Sequence, residues 1–154
     1  YDLDEAVSRV KQQMCRDTLE SEFVTLWYGT LDHDTGRLTY CNAGHEAPLL
    51  VRDGELLPLD VGGMIVGVDR DQVYDKGVWD FKPGDMLLLY TDGLPDAMNA
   101  DGDRFGRVRT EQLLLDVADQ SANDALNHIL WTVRQYTGPR RATDDTTLIV
   151  IKAE

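Results

Sequence analysis

A chain of 154 residues with 15 Lys plus Arg against 28 Asp plus Glu, a formal net charge of −13, is long enough for one domain that buries about two thirds of its surface. The acid excess argues against a nucleic-acid or anionic-membrane face, both of which need positive surface, and is compatible with cation binding. Two cysteines, Cys15 and Cys41, form no disulfide framework and no Cys-x-x-Cys pair, which points to free thiols in a reducing cytoplasm; no apolar run approaches the roughly 18 residues of a membrane span.

The chain opens at Tyr1 with neither methionine nor a signal-peptide pattern, and reads as a piece of something longer. Asp2 and Glu5 have the spacing of a capping box, and Leu3, Val7, Val10 and Met14 recur at helical intervals, predicting an amphipathic helix to about Leu19. Residues 23–31 are rich in β-branched and aromatic side chains and predict a strand. Residues 32–36 predict a hairpin turn, and residues 37–41 the returning strand. Asn42, Ala43, Gly44 and His45 break that strand; residues 46–52 resume it, Asp53-Gly54 turns it, and residues 55–59 are its short partner. The glycine-punctuated residues 62–67 predict a buried connecting loop, since no Gly-Lys-Ser/Thr follows to make a phosphate cradle. Residues 72–81 alternate enough to predict another strand.

Met86 to Tyr90 is apolar without a break, bounded by Pro83-Gly84 before it and Thr91, Asp92 and Gly93 after it. That pattern predicts a strand buried on both faces that delivers one carboxylate to its tip. The acidic stretch at residues 99–110 is no EF-hand, because Arg104 stands where the sharp-turn glycine is needed and Thr110 where the closing glutamate is needed. Helices are predicted over residues 110–119 and after a cap at residues 121–124, the second ending at Gly138-Pro139. Basic residues 140–143 lead to Asp144-Asp145 and a closing β-branched strand over residues 146–151. If the strand ending at Asp92 and the strand beginning after Asp144 are antiparallel neighbours, both carboxylates face one rim. With no Cys or His beside them they suit Mg²⁺ or Mn²⁺ better than zinc.

Four segments, in order, resemble one family. Residues 23–29 (Phe-Val-Thr-Leu-Trp-Tyr-Gly), 42–45 (Asn-Ala-Gly-His), 83–94 (Pro-Gly-Asp-Met-Leu-Leu-Leu-Tyr-Thr-Asp-Gly-Leu) and 144–148 (Asp-Asp-Thr-Thr-Leu) are similar to the PPM-type metal-dependent serine/threonine phosphatases, in the bacterial branch of SpoIIE and RsbU. The resemblance implies an α+β fold, an antiparallel β-sandwich flanked by helices in αββα layers. It implies metal ligation by Asp92 and Asp144, with Gly93 serving turn geometry and Asp145 a turn or supporting role. His45 reads as a hydrogen-bonded structural histidine and Asn42 as bonding local backbone.

The family's Asp-Val-x-Gly-x-Gly strand, whose aspartate bridges the two metals, is absent from residues 1–154. The expectation is therefore a single PPM-type domain, partial at its N-terminus, with an incomplete Mn²⁺ or Mg²⁺ site. The activity implied is hydrolysis of a phosphoserine or phosphothreonine monoester on a small regulatory phosphoprotein, such as an anti-sigma-factor antagonist. No catalytic residue is expected beyond the metal-bound water. The other reading is a catalytically inactive phosphatase-like interaction module. An upstream sensor or regulatory domain is expected in the parent. A strand missing from a sheet exposes an edge, and the expectation is that it is covered, either by a second copy of the chain as a homodimer, the slightly favoured alternative, or by a rearranged N-terminal helix, residues 1–20 being the exchanging or repacking element.

Overall fold

The computed structural model describes residues 3–17, 22–139 and 144–154; the expected cap at Asp2, the helix end at Leu19 and the basic residues 140–143 lie outside them. In chain order the elements are α1 (Leu3–Asp17), β1 (Leu26–Leu31), β2 (Arg37–Ala43), β3 (Leu49–Arg52), β4 (Glu55–Pro58), β5 (Gly62–Gly63), β6 (Gly77–Asp80), β7 (Met86–Tyr90), α2 (Gly106–Val117), α3 (Ala122–Thr137) and β8 (Leu148–Lys152). They fall into two compact units, one of Tyr1–Ala47 with Leu59–Phe81, the other of Pro48–Pro58 with Lys82–Glu154. The fold is α+β, with one sheet in each unit.

In the first unit β2 is the central strand. It pairs antiparallel with β1 and with β6, and parallel with the two residues of β5. The β1–β2 hairpin turns where Asp32 Oδ1 accepts the N–H groups of Asp34 (3.0 Å) and Thr35 (2.9 Å). Leu3 and Val7 of α1 are buried with Cys41, Ala43, Val66 and Tyr74. The buried stripe of α1 continues through Lys11 rather than Val10, which is 44% exposed. Lys11 lies four residues after Val7, so it shares that face. Its buried stem ends in an ammonium that donates to the carbonyls of Arg70 and Gln72, each at 2.7 Å.

Three expectations for this unit change. The second strand runs on past Cys41 through Asn42 and Ala43 before the expected break, which falls at Gly44, where φ is +73°. The glycine segment is not only a loop, because Gly62 and Gly63 make a short parallel pairing with Asn42 and Ala43. A Cβ on Gly62 would stand 1.9 Å from the Asn42 carbonyl oxygen, so only glycine fits. The strand read over residues 72–81 is confined to β6, and Val73, counted toward its alternation, is 76% exposed.

The second unit has a fully antiparallel sheet in the order β4–β3–β7–β8. β7 carries neighbours on both sides and is buried along nearly its whole length, as its unbroken apolar run predicts. Leu49, Val51, Met86, Leu88 and Tyr90 pack with Leu94, Phe105, Leu113, Leu114, Val117, Ala125 and Ile129 into one core. Below β7, Asp85 is buried against the Arg52 guanidinium, which donates through Nε (2.8 Å) and Nη2, and it also accepts the Lys82 N–H at 3.0 Å. α2 begins four residues earlier than expected, at Gly106. α3 begins where Ser121 accepts the Asp124 N–H at 3.1 Å.

Candidate metal centre

β7 and β8 are antiparallel neighbours, with Tyr90 opposite Leu148. The exit of β7 and the entry to β8 therefore share one end of the sheet. The segment carrying Asp92 and the segment carrying Asp144 are fastened together there. The Thr91 N–H donates to the Thr147 carbonyl (3.2 Å), the Thr91 hydroxyl donates to the Asp145 carbonyl (3.2 Å), and the Thr91 hydroxyl oxygen accepts the Thr147 N–H (3.0 Å). Gly93 is buried against this seam, and a Cβ on it would stand 2.4 Å from the Asp145 carbonyl oxygen. Its φ is not positive, so the glycine serves close approach rather than a left-handed turn. Past it, Leu94 is buried, its N–H bonded to the Thr91 carbonyl (3.1 Å), and the Asp96 N–H is bonded to the Asp92 carbonyl (2.9 Å).

Asp92, Asp144 and Asp145 are exposed at this end. Asp144 Oδ1 accepts the Asp145 N–H at 2.7 Å. Neither Asp92 nor Asp144 forms an ion pair among the described residues, although other carboxylates, such as Asp80, Asp85 and Asp96, do. Two carboxylates without a counter-cation suit a hard divalent ion in chemistry, since such ions take oxygen ligands and Mg²⁺ keeps several waters. They do not complete a protein donor set, because no group of three or more His, Cys, Asp or Glu among the described residues could hold a metal.

Asn42 and His45 lie in the first unit, at the end of β2. The Asn42 amide donates to the His45 carbonyl (3.0 Å) and accepts the His45 N–H (2.8 Å), so it closes the loop through Gly44 from both sides. The His45 Nδ1 sits 3.1 Å from the Thr25 hydroxyl. Sequence reasoning passed over Thr91, whose hydroxyl joins the two acidic segments. The available signal was a hydroxyl residue standing between a buried strand and an exposed aspartate.

The family model described as Stage II sporulation protein E (SpoIIE) matches residues 1–154. The chain belongs to the SpoIIE family. Among curated relatives of this SpoIIE-family chain, Protein IcfG of Synechocystis sp. is 30% identical over 138 residues, covering 84% of this chain and 20% of IcfG. Phosphoserine phosphatase RsbU of Bacillus subtilis is 26% identical over 134 residues, covering 86% of this chain and 39% of RsbU. The chain thus spans well under half the length of these relatives. The SiaA-PP2C domain of Pseudomonas aeruginosa superposes with a TM-score of 0.83 at 23% identity, covering 99% of this chain and 61% of that one. A structure of RsbX in complex with magnesium superposes at 0.65 and 19% identity, covering 97% of this chain and 64% of that one. The fold is that of the PP2C, or PPM, phosphatase domains. No helix among the described residues is long and apolar enough to cross a membrane.

Proposed function

We propose that the protein this chain comes from is a metal-dependent serine/threonine phosphatase, with Asp92 and Asp144 as ligands of Mn²⁺ or Mg²⁺. The observation that carries the reading is the delivery of two carboxylates without ion-pair partners to one end of the β7–β8 pair in a SpoIIE-family chain. A divalent ion held there would supply charge against the phosphoryl oxygens and lower the pKa of water. The chain's own part is positioning: Thr91 and Gly93 fix the two acidic segments side by side, and Asp145 contributes the carbonyl that Thr91 holds. The remaining ligands belong to parts of the parent protein outside these residues, and the two units act as one phosphatase domain.

The substrate class is a phosphoserine or phosphothreonine on a small regulatory protein such as an anti-sigma-factor antagonist, and the location is the cytoplasm. Similarity to RsbU, a phosphoserine phosphatase, supports this, as does a structure that joins RsbU and RsbW domains in one chain and superposes at a TM-score of 0.79. A regulatory domain upstream and a homodimer formed along an open sheet edge are parts of the same proposal; sedimentation at micromolar concentration tests the dimer. One observation favours the other reading, an inactive interaction module: the described residues hold no third metal-ligating side chain beside the aspartates.

The test is Mn²⁺-dependent phosphate release from a phosphoserine protein by the full-length parent. Asp92→Asn and Asp144→Asn should each lower kcat/KM by roughly a hundredfold or more, beyond the 10–100-fold typical of residues supporting a metal site. The isolated 154-residue chain should turn over poorly. Wild-type activity in either variant, or brisk turnover by the isolated chain, overturns the ligand assignment. An inert parent with intact folding favours the module.

A further inference from the structure

The first unit holds a cavity of about 330 Å³ beside the C-terminal turn of α1, lined by Gln12, Cys15, Arg16 and Arg70. Among the described residues its polar groups are two guanidiniums, an amide and a thiol, in a chain of net charge −13. Most arginines of the described residues are drawn to carboxylates: Arg9 to Glu5, Arg37 to Asp80, Arg52 to Asp85, Arg104 to Asp96 and Arg107 to Glu111. Arg16 and Arg70 are not. Arg16 has no hydrogen-bond or ion-pair partner among the described residues. Among the described residues the Arg70 side chain donates to the Cys15 carbonyl alone, at 3.1 Å.

Asp17, Asp69 and Asp71, their neighbours in sequence, form no ion pair with them among the described residues. Asp69 Oδ1 accepts the Asp71 N–H (2.8 Å), and the Asp17 carboxylate accepts from Gln13. The placement of Arg70 is built rather than incidental, because the buried Lys11 ammonium holds the carbonyls of Arg70 and Gln72. A third cation therefore fixes the backbone that presents the second. Within electrostatic reach of Cys15 and Asp69, the buried Tyr74 hydroxyl has no hydrogen-bond partner among the described residues.

We propose that this cavity binds a small phosphate-class oxyanion between Arg16 and Arg70. Guanidinium forks match the paired oxygens of a phosphate and hold it by charge-assisted hydrogen bonds. The volume is at the lower end for small-ligand sites, enough for a phosphate with a short organic stem. Free phosphate and a phosphorylated amino acid share this chemistry. The site is built from residues of the first unit alone and needs no metal.

The test is a nuclear magnetic resonance titration of the ¹⁵N-labelled 154-residue chain, in chelator and at constant ionic strength, with inorganic phosphate and with O-phosphoserine. Saturable shifts are expected at Gln12, Cys15 and Arg16 amides and at the Arg70 Nε–H. Arg16→Gln should weaken binding at least tenfold without lowering the melting temperature, since that side chain makes no bond within the described residues. Arg70→Lys, which keeps the charge and loses the fork, should weaken it as well, and Asp92→Asn should leave it unchanged. Tighter binding of phosphoserine assigns the ligand to phosphorylated amino acids, and equal binding assigns it to free phosphate. Shifts that do not saturate through the millimolar range, or wild-type binding by Arg16→Gln, overturn the proposal. Neither result bears on the metal reading, which Asp92→Asn tests by activity.

Discussion

Gly93 sits where two segments from opposite ends of the second unit touch. Any side chain there would push the Asp145 carbonyl away, and that carbonyl is the one the Thr91 hydroxyl holds. Gly93→Ala should therefore cost about 1–3 kcal/mol, the range for inserting a methyl group into a filled site. Chemical denaturation measures the stability. On the phosphatase reading proposed above, Mn²⁺-dependent turnover by the parent protein should fall as well even where folding survives, because the acidic segments are forced apart. Asp85 presents the opposite case, a buried side chain whose removal takes a carboxylate from a cation and an acceptor from a backbone N–H. Asp85→Ala leaves the Arg52 guanidinium at the base of β3 without its carboxylate and the Lys82 N–H without its acceptor. Breaking one side of a buried ion pair costs about 3–5 kcal/mol. Equilibrium unfolding in urea should show that loss, and Arg52→Met with Asp85→Leu should recover much of it.

At the scale of elements, the β1–β2 hairpin carries its own pH dependence. The backbone and side chain of Thr35 hydrogen-bond the Asp32 carboxylate and hold its pKa below the ordinary value of 3.8, with smaller help from the Asp34 N–H and His33. A lowered pKa means that the turn's contribution is fully present above the ordinary carboxylate value and is lost as pH falls through the depressed one. The amide resonances of Asp34 and Thr35 should accordingly titrate together at acidic pH, below the range of exposed aspartates. Asp32→Asn should abolish that titration while keeping the turn. Elements also differ in how plainly they were written. β7 was legible because five apolar residues between turn signals leave a buried strand as the only economical reading. α2 was misplaced because its first turn, Gly106, Arg107, Val108 and Arg109, has no apolar periodicity; Val108 is 79% exposed and the turn is held by the Thr110 hydroxyl donating to the Gly106 carbonyl. β5 left no trace, since two glycines carry no pattern and their signal is another strand's proximity. The common rim of Asp92 and Asp144 followed from strand direction alone. The role of Thr91 did not, because its partners lie 54 and 56 residues away in the chain.

For the whole molecule, a formal charge of −13 on 154 residues means that like charges repel across much of the surface. Salt should relieve this. The melting temperature is expected to rise as ionic strength goes from about 0.01 M, where charges feel one another over roughly 30 Å, to about 0.15 M, where the range falls to roughly 8 Å. Differential scanning calorimetry across that series reads the effect directly, and a fall in melting temperature would mean that attractive ion pairs outweigh the net repulsion.

Neither unit is continuous in sequence, and this sets a timetable for synthesis. The β3–β4 hairpin, with Leu49, Leu50 and Val51, leaves the ribosome long before its lateral partner β7, and β8 completes the sheet only roughly a hundred residues after β3. The open side of β3 is covered by β7, which follows it by roughly 35 residues, and at ~5–20 residues per second that interval is on the order of 2–7 s. For that time an apolar strand with one unpaired side waits among other nascent chains, a template for wrong pairing. Yield in the cell should thus be governed by translation speed through residues 59–90 and by the chaperones that shield the hairpin meanwhile, more than by the stability of the finished fold.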